Sequence, residues 1–205
     1  QGLFATLIIG TMIQQIGLLI GGSTGNVIYL LGKAAAALTS AGIGVGVAVK
    51  YGESPLVTVS AAVAAMVGGY AGKITGGTFF VDGNAVLAGP GEPLGAFIAA
   101  FAGITCGHLV SGKTKVDIIV TPVITIGAGS VVGLLVGPPI SQMMTGLGSI
   151  INWATEQRPF IMGIVVSVVM GMVLTLPISS AALGIILNLS GLAAGAATIG
   201  CCCNM

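Results

Sequence analysis

Few side chains in this chain of 205 residues can do chemistry, and they fall in a handful of places. Glu92 lies inside the run GPGEP (Gly89–Pro93), and His108 ends a long apolar stretch just before SGKTKVD (Ser111–Asp117). Thr121 precedes Pro122; Asn152, Thr155 and Glu156 cluster ahead of Arg158; Ser179 and Ser180 follow Pro177 in LTLPISS (Leu174–Ser180). Carboxylates, amides and hydroxyls are the groups that hold a polyhydroxylated solute, because each solute hydroxyl wants a donor and an acceptor. The same residues do not assemble a nucleophile with its base: there is one histidine, no serine elbow and no Walker-type phosphate loop. Cys201, Cys202 and Cys203 are consecutive, and helical neighbours point about 100° apart, so they cannot converge on a metal. With Cys106 they read as small packing residues, or the juxtamembrane ones as palmitoylation sites. No catalytic group, cofactor or metal is expected.

The elements that position these groups must lie in lipid. Hydrophobic residues make up 55% of the chain and charged residues 5%, with a mean hydropathy of +1.12. A soluble domain is about one-quarter charged, so the surface here has to be solvated by acyl chains. The formal charge of +1, with no basic cluster, excludes nucleic acid as a partner. The 35 glycines stand among Val, Ile, Leu and Ala, which reads as close helix packing and not as disorder. A membrane β-barrel would alternate apolar and polar residues; Ile118–Val136 is broken only by Thr121, Pro122, Thr125 and Ser130, which argues for helices.

The expected fold is all-α: a single polytopic transmembrane domain over residues 1–205, with roughly seven membrane segments, some broken or re-entrant. Leu3–Ile20 is the first segment, and Gly21–Asn26 is a polar break. Val27–Val49 is the second, carrying Lys33, and Pro55 suits the start of the third, Leu56–Ala71. Lys73–Asn84 reads as a loop, and Ala85–Val110 as an apolar stretch broken at GPGEP. Ile118–Val136 follows SGKTKVD, then GPPISQMM (Gly137–Met144) and a shorter segment to Trp153. ATEQRP (Ala154–Pro159) reads as a loop, Phe160–Leu176 as a span and Ala181–Cys203 as the last helix. Proline removes a backbone donor, so interruptions are expected near Pro138–Pro139 and near Pro177. In transporters such breaks hold substrate at the bilayer midplane. Gly129, Gly133 and Gly137 share one helix face and offer a groove for close contact. The chain starts and stops against apolar runs and reads as an excerpt of a longer protein, its C-terminal part missing. Lys113 and Lys115 place their loop in the cytoplasm by the positive-inside rule.

Each polar residue has more than one reading. Glu92 either lines a site or is a carboxylate on an exposed loop. His108 binds a solute hydroxyl, carries a proton or faces the headgroups. Asp117 either joins a site or sits in the favourable first turn of a helix, and Glu156 either does so or pairs with Arg158 in a loop.

Several runs carry a family resemblance: KTKVDIIVTP (Lys113–Pro122), VGPPISQMM (Val136–Met144), INWATEQRPFIMGI (Ile151–Ile164), LTLPISSAA (Leu174–Ala182) and GLAAGAATIGCC (Gly191–Cys202). Together they resemble the membrane component, EIIC, of a sugar phosphotransferase-system family that includes the PfoR-type regulatory membrane proteins. The resemblance implies a multi-pass protein of the bacterial cytoplasmic membrane, a homodimer, that works with soluble phosphotransferase components. A carrier of a small polar solute by alternating access is the leading expectation, with Glu92, His108, Thr121, Asn152, Thr155, Ser179 and Ser180 converging on the solute. A sensor that binds without translocating, or a channel-like pore, is the alternative.

Overall fold

The computed structural model describes residues 2–77, 80–81, 84–85, 91–113, 116–174 and 191–203. It divides into two compact units, Gln1–Ser141 and Gln142–Met205.

The first unit begins with a π-helical turn over Phe4–Ile8, then α1 (Ile9–Ile20) and α2 (Gly22–Ala37). These two pack antiparallel: a Cβ on Gly10 would lie 3.1 Å from the carbonyl oxygen of Gly32, and one on Gly17 2.8 Å from that of Gly25. The polar break expected at Gly21–Asn26 shrinks to Gly21, because α2 resumes at once. Next come α3 (Thr39–Tyr51), α4 (Pro55–Gly69) and a short α5 (Ala71–Thr75). Gly52, at φ 71°, supplies the left-handed residue that ends α3. Ser54 then caps α4, accepting from the Val57 N–H at 3.4 Å, with Pro55 at the first helical position. A two-residue antiparallel pair, β1 (Phe80–Val81) with β2 (Asn84–Ala85), precedes α6 (Pro93–Val110). The first unit closes with α7 (Asp117–Gln157) as far as Ser141.

The core of this unit is a seam of small residues. Ala61, Ala64 and Ala65 on α4 and Ala96, Ala99 and Ala100 on α6 are all fully buried. Along α7 the buried positions recur every four residues: Thr121, Thr125, Gly129, Gly133 and Gly137. A Cβ on Gly129 would lie 2.6 Å from the Ala64 Cβ, and one on Gly133 2.8 Å from the Gly68 Cα. One on Gly137 would lie 2.6 Å from the Ala71 Cβ. The glycine row therefore packs within the protomer, against α4, α5 and α6, and is not free to form a dimer face.

Three expectations about helix breaks are corrected. The GPPIS run does not interrupt its helix, since α7 passes through Pro122, Pro138 and Pro139. A proline removes one backbone donor, and in lipid the rest of the ladder is worth keeping. The same helix runs through Ala154–Gln157, which read as a loop. Conversely, the stretch read as one span, Val27–Val49, is divided at Leu38, where α2 and α3 meet at a bend of 49°. The Pro177 break lies outside the described residues. Among those described, Pro93–Val110 and Asp117–Met143 are long and apolar enough to cross a membrane, and the bent α2–α3 pair makes a third if counted as one span. Ala5–Ile20, Pro55–Gly69 and Pro159–Val168 are shorter apolar helices, so the described residues do not confirm the expected count of roughly seven membrane segments.

The second unit holds the rest of α7, then α8 (Pro159–Leu174) and α9 (Gly191–Cys203). α8 and α9 pack together around Val166 and Ala197, with Ile151, Met162 and Ala196 alongside.

The seam makes two stability predictions for the detergent-solubilised protein. Gly133→Val should destabilise by about 1–3 kcal/mol through overpacking, while Gly127→Val, where a Cβ meets nothing within 4 Å, should leave thermal unfolding nearly unchanged. Thr125 is fully buried and its hydroxyl has no hydrogen-bond partner among the described residues. Thr125→Val should therefore raise stability by about 1 kcal/mol.

Candidate functional site

Several chain interruptions of the first unit meet near Glu92. At the α2–α3 bend, side chains donate to carbonyls of the last turn of α2. The Thr39 hydroxyl donates to the Ala36 carbonyl at 2.6 Å, and the Tyr70 hydroxyl donates to the Ala37 carbonyl at 3.1 Å. Tyr70 is itself the residue between α4 and α5, and it is buried. The Glu92 N–H donates to the carbonyl of Gly69, the last residue of α4, at 2.6 Å. Gly91 makes that approach possible: its φ is 74°, and a Cβ there would lie 2.6 Å from the Ser40 hydroxyl oxygen and 3.0 Å from the Gly69 carbonyl oxygen. Glu92 is thus fixed by its backbone where the ends of α3, α4 and α6 come together.

The Glu92 carboxyl is half-buried. Burial pushes it above the ordinary carboxylate range, against a hydrogen bond from Ser141 and the positive charge of Lys73, which both pull it down. Its Oε2 is shielded from solvent and has no hydrogen-bond partner among the described residues. Lys73 Nζ stands 5.4 Å from the centre of the Tyr70 ring, so cation and carboxyl belong to the same group of side chains. Ser40, Tyr70, Lys73, Glu92 and Ser141 form a polar cluster with one acceptor unfilled, which can receive a donor from a bound molecule.

A second polar cluster occupies the other end of the same helices. His108 Nδ1 lies 2.9 Å from Glu53 Oε1. Asp117 begins α7 as expected, and its Oδ1 accepts from the Thr121 hydroxyl at 2.6 Å and from the Gly112 N–H at 3.1 Å. Glu92 and His108 are sixteen positions apart at opposite ends of α6, roughly 24 Å along the helix. The structure therefore does not bring His108 and Thr121 to Glu92.

Asn152 and Thr155 lie on the part of α7 that belongs to the second unit, Asn152 half-buried. Ser179 and Ser180 lie outside the described residues. The second unit also has an open groove of about 550 Å³ between α8 and α9, lined by Phe160, Ile164, Leu192 and Ile199, with Ser167 as its hydroxyl. Such a lining suits an apolar chain and not a polyhydroxylated solute.

Sequence reasoning named Glu92 as a candidate but did not name Ser40, Tyr70, Lys73 and Ser141 as its neighbours. The signals were present but distant: a Thr39–Ser40 pair inside an apolar span, and a tyrosine and lysine just after another.

A family model described as "Phosphotransferase system, EIIC" matches residues 1–205. No curated protein and no solved structure matches the chain. The match covers the whole chain and agrees with helices long and apolar enough to cross a bilayer around a polar cluster. The chain belongs to the EIIC family, the membrane component of the phosphotransferase system.

Proposed function

We propose that this EIIC-family chain is a carrier of a small polar solute, a sugar or sugar derivative, and that the solute binds at the Glu92 end of the first unit. The observation that supports this reading is Glu92 Oε2, an acceptor shielded from water and without a donor among the described residues, at the meeting of three helix ends. Glu92 accepts hydrogen bonds from solute hydroxyls, and charge-assisted bonds of this kind are roughly twice as strong as neutral ones. Ser40 and Ser141 exchange hydrogen bonds with neighbouring hydroxyls, and Lys73 balances the charge. The broken pairs α2–α3 and α4–α5 border the site, and their hinging gives alternating access. The protein works as a homodimer in the bacterial cytoplasmic membrane, with soluble phosphotransferase components on the cytoplasmic side.

A thermal-shift screen of mono- and disaccharides on the detergent-solubilised protein tests this directly. A bound solute raises the midpoint by mass action, and Glu92→Gln should weaken its affinity roughly tenfold or more, through loss of a charged acceptor. Unchanged affinity in the variant removes Glu92 from the site. Uptake of the same solute into proteoliposomes separates carrier from sensor: binding without uptake leaves a sensor.

Glu92 also makes a prediction that needs no solute. Its folded carboxyl holds a proton to higher pH than it does in the unfolded chain. Between those two values the folded state binds more protons, so stability falls as pH rises out of the ordinary carboxylate range. Wild type should lose more thermal stability between about pH 4 and about pH 8 than Glu92→Gln does. Parallel profiles would show that burial does not act on this carboxyl.

A further inference from the structure

Two glycines of the second unit are placed differently from the seam glycines of the first. A Cβ on Gly129 or Gly133 would run into neighbouring helices, whereas one on Gly195 of α9 would meet nothing within 4 Å. One on Gly163 of α8 would meet only the Ala196 Cβ, at 4.0 Å. These glycines do not join helices. They leave open the groove of about 550 Å³ between α8 and α9. Its lining runs along α8 from Pro159 to Val168, roughly 14 Å of helix. Half the hydrocarbon core of a bilayer is about 15 Å, so the groove is as long as one leaflet is deep. Its walls are apolar, and Phe160, Leu192 and Ile199 on them are exposed.

One end of the groove carries a charge. Pro159 directly follows Arg158, where the polar run ATEQR (Ala154–Arg158) gives way to the apolar α8. Arg158 is exposed and has no ion-pair partner among the described residues. Its carbonyl accepts from the Met162 N–H at 3.0 Å, which puts it at the first turn of α8. Helix N–H groups lack intrahelical partners there, and the helix dipole favours an anion. Trp153, five positions earlier, is also exposed, and tryptophan collects at the headgroup level of a bilayer. A guanidinium beside a helix start, with an apolar groove one leaflet deep running away from it, is complementary to a phosphate and the acyl chain below it.

We propose that the α8–α9 groove binds one phospholipid of net negative charge, with an acyl chain along Gly163 and Gly195 and the phosphate on Arg158. The planar guanidinium donates two parallel N–H bonds to the phosphate oxygens. The acyl chain fills the space that the two glycines leave. The site belongs to the second unit and does not depend on the solute site at Glu92.

The test uses the whole chain in detergent, irradiated with a phosphatidylglycerol that carries a diazirine in one acyl chain. Crosslinks are mapped by mass spectrometry and should concentrate on residues 160–168 and 191–199. Unlabelled phosphatidylglycerol should compete, and phosphatidylcholine with the same chains should need a concentration roughly tenfold higher. Glycerol phosphate, which has the anion without the chain, should not compete. Arg158→Gln should weaken phosphatidylglycerol roughly tenfold, toward the value for phosphatidylcholine. Gly195→Leu fills the groove without meeting a neighbour and should remove the crosslinks from the folded protein. Crosslinks spread evenly over the apolar helices, equal competition by the two lipids, unchanged affinity in Arg158→Gln or an undiminished yield in folded Gly195→Leu would each overturn the proposal. So would a wild type without groove crosslinks whose dimer is lost in Gly195→Leu, which would give the groove to a second copy of the chain. Should Gly195→Leu fail to fold, the crosslink map and the lipid competition on wild type decide alone.

Discussion

Helices in hydrocarbon gain little by hiding apolar side chains from one another, because the acyl chains around them are equally apolar. What remains is the contact made when backbones touch, and the first unit depends on it. A Cβ on Gly68 would lie 2.6 Å from the Gly95 carbonyl oxygen, one on Gly103 2.7 Å from that of Thr125, and one on Gly44 2.5 Å from that of Ala61. α3, α4, α6 and α7 are joined at these points, where no side chain larger than hydrogen fits. At such separations dispersion and Cα–H contacts to carbonyls add up over the length of each helix.

A seam with no room for side chains pushes polar groups to its ends. The α7 row reads hydroxyl, hydroxyl, glycine, glycine, glycine, and then Ser141 one step further on the same spacing. Thr121 and Ser141 are twenty positions apart, about 30 Å, which is the depth of the hydrocarbon core. The Glu53–His108 cluster and the Glu92 cluster are therefore separated by the apolar seam. The helix breaks follow the same logic. An unpaired carbonyl is costly in lipid, and at the end of α2 Thr39 and Tyr70 supply donors to the Ala36 and Ala37 carbonyls. α4 can end at Gly69 only because the Glu92 N–H reaches it. Tyr70 and Glu92, whose hydroxyl and backbone N–H serve these helix ends, also belong to the polar cluster of the candidate site.

Composition and hydropathy were enough to read a helical membrane protein, because both average over the whole chain. Local chemistry was readable where it acts within a few residues, as at Ser54–Pro55 and at Asp117. The glycine row was rightly read as a close-packing face, but its partner was not, since nothing in GAGSVVGLLVG (Gly127–Gly137) says whether α4 or a second copy lies opposite. Pro138–Pro139 misled because proline perturbs one turn, and the helix is kept by everything beyond that turn. Leu38 misled in the opposite direction. Its break depends on Tyr70, 32 positions away, and no proline or glycine marks it. The same holds for both clusters. His108 and Glu53 stand 55 positions apart, and Glu92 is separated from Ser40, Lys73 and Ser141 by whole helices. Pairings of that range are made by the antiparallel order of the helices and leave no periodic trace.

A carboxyl at Glu92 is a poor choice for packing alone. Burial disfavours its charged form; Ser141 and Lys73 offset part of that cost, and Oε2 has no partner among the described residues. A shielded acceptor without a donor forfeits about 1–3 kcal/mol. An amide would fit the same space without the charge, and an aliphatic residue would remove the unfilled acceptor altogether. On the proposed reading, a hydroxyl donor from the solute would relieve that cost on binding. Affinity at such a place does not need a large buried area, because the donor gains a charge-assisted bond while the protein loses a penalty it already carries. On the same reading the site would also be selective. A solute of the same shape lacking the hydroxyl would seal Oε2 from water without satisfying it, and would be rejected for that reason more than for any lost contact.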